Sequence, residues 1–249
     1  MGKHNDVLVS SASQILNQPS SSSSSVLSNE IPEPYGWSTK DPGEGRARAL
    51  RNSLARVLGW GMPDRLSRQR RQSLDEMAAL FEHRTYGAEV NLENRGSTWK
   101  KIYLVEYGIA RLYRKNDEGR VSIHHFFEEG SAIWPVFART RSERNTLCLT
   151  TVTPCTVWEA DFLPFRDCIK QEGEGTWDHF ALALMEELAE RATMREFERQ
   201  TLSAEERYQI MVRDYPELVE RVPDYQLAAW LGVATATYSR LKNGRSRRH

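Results

Sequence analysis

The chain has 249 residues, with 34 Lys plus Arg set against 34 Asp plus Glu. At 39% apolar and 27% charged it holds enough material for a core, which excludes a wholly disordered chain, and its zero net charge argues against a protein that coats nucleic acid without selectivity. No run approaches the roughly 18 uncharged apolar residues of a membrane helix, and the polar, Ser-rich start lacks the apolar run of a secretion signal. Three irregularly spaced cysteines, Cys148, Cys155 and Cys168, point to a reducing, cytoplasmic setting rather than a disulfide framework.

Residues 1–42 read as a disordered arm rich in Ser, Pro and Gly, with an unbroken serine run from Ser20 to Ser25. Residues 46–81 read as N-terminal helices. The first covers 46–58, with Leu50, Leu54, Val57 and Leu58 three and four apart, and Gly59, Gly61 and Pro63 close it. The second covers Leu66 to Phe81, with Leu74, Met77, Ala78 and Phe81 as its apolar stripe. Between Arg46 and Arg71 stand eight arginines and a single acid, Asp64. That run is either a solvated helical face or a patch for nucleic acid or an acidic partner.

The texture changes at Thr85. Ile102 and Leu104, then Ile109, Leu112 and Tyr113, supply strand material on either side of Gly108. The turn Asn116 to Gly119 leads to a strand at 121–127, and a Thr- and Val-rich run at 147–162 bends at Pro154. Short strands with turns about every 8–12 residues predict a small sandwich or barrel, placed at 83–162 within a domain of 83–175.

Residues 176–200 predict one long helix. Trp177, Ala181, Leu184 and Leu188 lie on one seam, flanked by Phe180 and Met185, and Met194 and Phe197 continue with a shifted phase. So broad an apolar surface needs its own barrel plus a second partner, and a second subunit supplies one. The other reading is a lone helix lying on the barrel. Residues 203–249 then predict short helices. Ser203 and Glu206 have capping-box spacing, a helix at 224–231 closes at Gly232, and another at 234–242 closes at Gly244. Helix, short Gly turn, helix is the helix-turn-helix pattern, with Leu227, Ala228, Leu231, Val233, Tyr238 and Leu241 as its small core.

After Asp224 no acid follows, while Arg240, Lys242, Arg245, Arg247 and Arg248 do. In a helix-turn-helix the second helix enters the major groove. Arg240 is the best base reader, since a guanidinium fork can take guanine O6 and N7. Thr235, Ala236, Ser239 and Lys242 share that helix, and Tyr225 and Gln226 open the one before it, where they could position the DNA backbone. From the residues alone, a basic tail on a domain that packs for another reason stays open.

The stretch from Arg207 to Arg240 resembles the C-terminal domain of the Crp/Fnr family of transcription regulators. Arg207, Tyr208, Pro216, Leu218, Arg221, Val222, Pro223, Ala228, Leu231, Gly232, Ser239 and Arg240 match its motif in order and spacing. Tyr103 to Gly108 with Arg111 to Tyr113 resembles the family's barrel strand pair. The resemblance implies an α+β fold. Its parts would be an N-terminal jelly-roll β-barrel (cyclic-nucleotide-binding-like), a long dimerisation helix and a C-terminal helix-turn-helix. It further implies a homodimer on double-stranded DNA with two-fold-related half-sites, and contact with RNA polymerase in activating members.

Departures from the motif matter. Where cyclic-nucleotide binders carry Gly-Glu, this chain has Trp134-Pro135, and at the far end of that segment it has Arg144-Asn145-Thr146. An effector pocket at Trp134, Pro135, Arg144 and Thr146 is therefore expected to refuse cyclic AMP or GMP and to be filled, or reshaped for an unknown small molecule. Ala236 stands where a glutamate is common, so the half-site preference should differ, and a sensing or interaction dimer that lost specific DNA binding is the alternative. Enzyme and metal readings fare poorly. Adjacent His124 and His125 should point to opposite sides of a strand, one towards solvent and one partly buried. No zinc or phosphate-loop motif occurs, the cysteines lack an iron–sulfur cluster's spacing, and no cofactor is implied.

Overall fold

The computed structural model describes residues 42–134 and 146–246. The predicted arm, Pro135, Arg144 and the last three residues lie outside them. A break between Ala78 and Ala79 divides the chain into two units.

In the first unit, helix α1 covers Pro42–Val57 and α2 covers Arg68–Ala78, joined by a single 3-10 turn at Pro63–Arg65. The start of α1 lies earlier than the predicted residue 46, because a proline's fixed φ suits a first turn. Gly59 and Gly61 end the helix with φ of 68° and 79°. The predicted second helix is trimmed at both ends. Ser67 caps it, its Oγ accepting from the Arg70 amide at 3.2 Å, and Phe81 falls beyond its last residue. Leu50, Leu54, Leu66, Leu74 and Met77 are buried, and an ion pair between Arg51 and Asp75 links the two helices.

The second unit begins with eight antiparallel strands. They are β1 (Glu82–Tyr86), β2 (Asn91–Glu93), β3 (Lys101–Tyr107), β4 (Ala110–Lys115), β5 (Val121–Phe127), β6 (Ala132–Ile133), β7 (Leu147–Thr151) and β8 (Cys155–Asp161). One sheet has the order β1-β8-β3-β6 and the other β2-β7-β4-β5. Consecutive strands alternate between sheets over much of the chain, which is jelly-roll topology. Tyr103, Val105, Phe127, Ile133, Leu149 and Val157 meet in the interior between them. Gly108, between β3 and β4, has φ 97°, and a Cβ there would lie 2.3 Å from the Pro154 carbonyl oxygen. Only glycine lets the two sheets turn at that corner.

β4 and β5 are joined by the expected turn, with Gly119 N–H donating to Asn116 O at 3.0 Å. Their register jumps from Leu112 opposite His125 to Tyr113 opposite Ile123, leaving His124 as the extra residue of a bulge. The bulge corrects the expected alternation: neither histidine is exposed. Burial first, then nearby arginines, lowers both imidazoles, His124 to about 4 and His125 to about 3, so both are neutral at neutral pH.

A helix that the sequence reading missed, α3 (Phe162–Gln171), follows directly on β8 and buries Phe162, Phe165 and Ile169. Phe81 packs edge-on to Phe165, ring centroids 5.8 Å apart. After Gly175, in the left-handed region at φ 77°, the long helix α4 covers Thr176–Thr201 and contains no buried residue. The chain closes with α5 (Ala204–Asp214), α6 (Pro216–Arg221), α7 (Asp224–Leu231) and α8 (Thr235–Ser246). No helix among the described residues is long and apolar enough to cross a membrane, and no cluster of three or more His, Cys, Asp or Glu there is placed to hold a metal.

Candidate nucleic-acid interface

Local chemistry builds the C-terminal helices. Ser203 and Glu206 form the expected capping box at α5: Ser203 Oγ accepts from the Glu206 amide at 3.3 Å and Glu206 Oε2 accepts from the Ser203 amide at 2.8 Å. Pro216 starts the short α6, which the sequence reading left out. Helix α7 covers 224–231 as expected, and Gly232 ends it at φ 71°. The chain then turns and α8 begins at Thr235, with the Ala234 carbonyl accepting the first helical bonds from Thr237 and Tyr238. Gly244 does not close α8, which runs on to Ser246. Gly244 has no positive φ, and glycine inside a helix weakens it by only about 1 kcal/mol.

Packing decides which side of α8 faces outward. Tyr238 is fully buried, edge-on to Tyr208 with centroids 5.7 Å apart, within a cluster that includes Met211, Leu218, Leu227 and Leu231. With Tyr238 inward, Ala236, Ser239 and Arg240 are exposed on the side turned away from it, and Thr235, one turn before Tyr238, is exposed at the edge of that side. Arg240 donates from Nε to the Ala236 carbonyl at 3.3 Å, and its side chain is exposed. Lys242 is engaged instead, its Nζ lying 2.8 and 3.0 Å from the two Asp224 carboxylate oxygens.

Of the pair expected at the start of α7, Tyr225 is exposed and Gln226 is not. Gln226 is 1% exposed, and its Nε2 donates to Glu89 at 2.9 Å and to the Tyr225 hydroxyl at 3.0 Å. Its neighbour Leu227 alone would have signalled the buried side of that helix; nothing in the sequence pairs Gln226 with residue 89. Glu89 also accepts from Arg111 Nη2 at 2.7 Å and holds a left-handed φ of 59°, a strained setting for a residue with a Cβ.

Three further groups join the barrel to these helices, and the sequence reading assigned none of them a role. Glu129, in the turn after β5, accepts both terminal nitrogens of Arg221 at 3.0 and 2.6 Å and the Gly108 amide at 2.8 Å. Burial works against its charge, but those bonds outweigh it and lower its carboxyl below the usual glutamate range. Arg195 of α4 donates to the carbonyls of His124, Ile123 and Trp230, the last at 3.0 Å, and stacks over the Trp230 ring at 5.3 Å. Burial pulls its guanidinium down to about 10, still charged at neutral pH. Ile109, Ile123, Phe126 and Val152 of the barrel complete one continuous apolar cluster with the C-terminal helices. The sequence trace of this junction is faint: an acid pair beside Gly130, and Arg221 as one matched position of the motif.

The expected dimer seam divides. Trp177 stacks edge-on with Trp134 at 5.4 Å and with Phe162 at 5.6 Å, and Phe180 closes the group 5.7 Å from Trp177. Trp177, Ala181, Leu184 and Leu188 are half-buried in the single chain, whereas Leu182, Met185, Met194 and Phe197 are its exposed large apolar side chains on α4. Helical periodicity cannot say which of two apolar stripes meets the chain's own barrel. Trp134 thus belongs to an aromatic group with Phe162, Trp177 and Phe180, and Thr146 is exposed just before β7.

A jelly-roll barrel of the cyclic-nucleotide-binding kind, a long helix and a terminal helix-turn-helix define the architecture of Crp/Fnr-type regulators, and this chain has that fold. The solved structures similar to it include a protein from Eubacterium rectale described as a crp/fnr-family transcriptional regulator, at 12% identity and TM-score 0.58 over 74% of this chain and 86% of that one. FixK2 from Bradyrhizobium japonicum is 14% identical at TM-score 0.56, covering 68% and 85% respectively. The c-di-GMP-responsive global regulator CLP of Xanthomonas campestris is 16% identical at TM-score 0.54, covering 72% and 92%. No protein-family model and no curated protein sequence matches the chain.

Proposed function

We propose that the protein is a homodimeric, sequence-specific DNA-binding transcription regulator and has no catalytic role. The observation that carries this is the exposed side of α8, where Ala236, Ser239 and Arg240 stand together with Thr235 at their edge while Tyr238 anchors the helix from the buried side. A helix so held presents short side chains and one guanidinium to a major groove, and its tight approach is possible because Ala236 is small. The dimer contact assigned here is the exposed stripe of Leu182, Met185, Met194 and Phe197, with Trp177 kept for the chain's own barrel. Two copies joined along α4 would set two recognition helices about one DNA turn apart.

The effector is not cyclic AMP or GMP on this reading. Trp134 packs against Phe162, Trp177 and Phe180, and the pair Trp134-Pro135 stands where a cyclic-nucleotide binder carries Gly-Glu, so the carboxylate for the ribose hydroxyl is missing. The test is a mobility-shift assay on the DNA upstream of the protein's own gene, comparing the wild type with Arg240→Ala. A shift that weakens about 10–100-fold in the variant is expected, the usual worth of a guanidinium–guanine fork. No shift from either protein, followed by no enrichment in genome-wide capture with the tagged chain, would sink the reading.

A further inference from the structure

The arginine-rich unit between Pro42 and Ala78 has no part in the function proposed above. It carries eight arginines, no lysine and four acids, Glu44, Asp64, Asp75 and Glu76. Arg51 is paired with Asp75, and Arg70 lies over the Trp60 ring at 5.5 Å. Arg46, Arg48, Arg65, Arg68 and Arg71 are exposed and have no ion pair among the described residues. Three arginines crowd the first turn of α2, where the helix dipole favours acids and none is present.

We propose that this surface grips the phosphate backbone of duplex DNA without regard to sequence, as a second contact additional to α8. The proposal rests on the reading that the chain works on DNA. Guanidinium groups match phosphate oxygens as forks, and their exclusive use is the expected choice for that partner. A lipid surface fits less well, because the helices' apolar residues Leu50, Leu54, Leu74 and Met77 are already buried and leave no face to insert. A protein partner also fits less well. Interface cores need large apolar anchors, and Met62 is the one exposed large apolar side chain among the described residues of this unit. What remains is a spread of like charges over two helices and their connection, complementary to a line of phosphates.

The test uses the full chain and a fluorescent duplex of about 40 base pairs with arbitrary sequence, its affinity measured from 50 to 200 mM salt. The variant is Arg46→Gln/Arg48→Gln/Arg68→Gln/Arg71→Gln; none of these side chains has an ion pair among the described residues, so its melting curve should match the wild type's. Each phosphate contact contributes a slope of about 0.9 in log affinity against log salt, so four contacts account for roughly a 10²-fold loss over that range. The Gln variant should bind more weakly at low salt and lose that much less affinity as salt rises. The same four positions changed to Lys keep the charge and should restore the slope. Equal slopes and affinities for wild type and Gln variant overturn the proposal, as does a partner that proves to be a protein or membrane while the DNA slope is unmoved.

Arg240→Ala separates this surface from α8. It should leave the slope on arbitrary DNA nearly intact while erasing the preference for fragments captured from the genome. A changed slope in the Gln variant with no such preference in any protein would sink the regulator reading and leave the arginine surface standing.

Discussion

The long helix and the helix-turn-helix solve the burial problem in opposite ways. α4 has 26 residues and buries none of them fully. α7, with 8 residues, buries Gln226, Leu227, Ala228 and Leu231, and α8 adds the fully buried Tyr238. The short helices are complete within one chain because they close on each other and on the barrel. The long one satisfies one stripe through Trp177 and leaves Leu182, Met194 and Phe197 between 52% and 57% exposed. So much apolar surface turned outward on an ordered helix is what a partner would cover, and on the reading proposed above that partner is a second copy of the chain.

Breaking the closed side should do the most damage. Tyr238→Ala removes a fully buried ring from the centre of the cluster, and a loss of about 3–5 kcal/mol in chemical denaturation is expected. Arg195→Ala comes next. It strips the donor from three carbonyls at the meeting of β5, α4 and α7, for about 2–3 kcal/mol by the same measurement. If Tyr238→Ala proved as mild as a surface change, the C-terminal helices would not be the self-contained half of the comparison.

Glu129→Gln sharpens the comparison through pH. Because the folded carboxyl is held below its ordinary range, its contribution is fully present above the unfolded value of about 4.3 and is lost as pH falls through the lower folded value. The variant should therefore be about 1–2 kcal/mol less stable at pH 7, with the gap closing in acid. A gap that persisted unchanged at low pH would mean that the Arg221 fork is not its source. The smallest stability effect belongs to the open side. Leu182→Asp/Phe197→Asp should alter the denaturation of dilute monomer by no more than about 0.5 kcal/mol, yet sedimentation should show the dimer lost. A variant that stays dimeric would move the interface elsewhere.

Much of the architecture was legible because local chemistry announced it. Gly108 between two apolar runs, the Asn116 to Gly119 turn, the Ser203–Glu206 box and the Gly232 stop each mark an element from nearby residues alone. What escaped depends on partners distant in the chain. β7 is buried at all five positions and shows no alternation, so its Thr- and Val-rich composition, not its pattern, marked it as a strand. β2 and β6 have three and two residues and exist only through pairing. α3 begins at Phe162, the last residue of the run that reads as a strand, and follows β8 with no break to announce it. The site followed the same rule. The outward side of α8 follows from Tyr238 facing in, but Gln226 was misplaced because its partner, Glu89, lies 137 positions away.

Arg195 ties α4 to β5 and to α7, the helix that precedes α8. A lysine could not take over, since one ammonium on a flexible stem lacks the flat fan of donors that reaches two separate segments at once. Sliding α4 along its axis would either drag Trp230 along or strand carbonyl oxygens without a donor. Through Arg195, a displacement of α4 would be felt at Trp230, just ahead of the turn leading into Thr235.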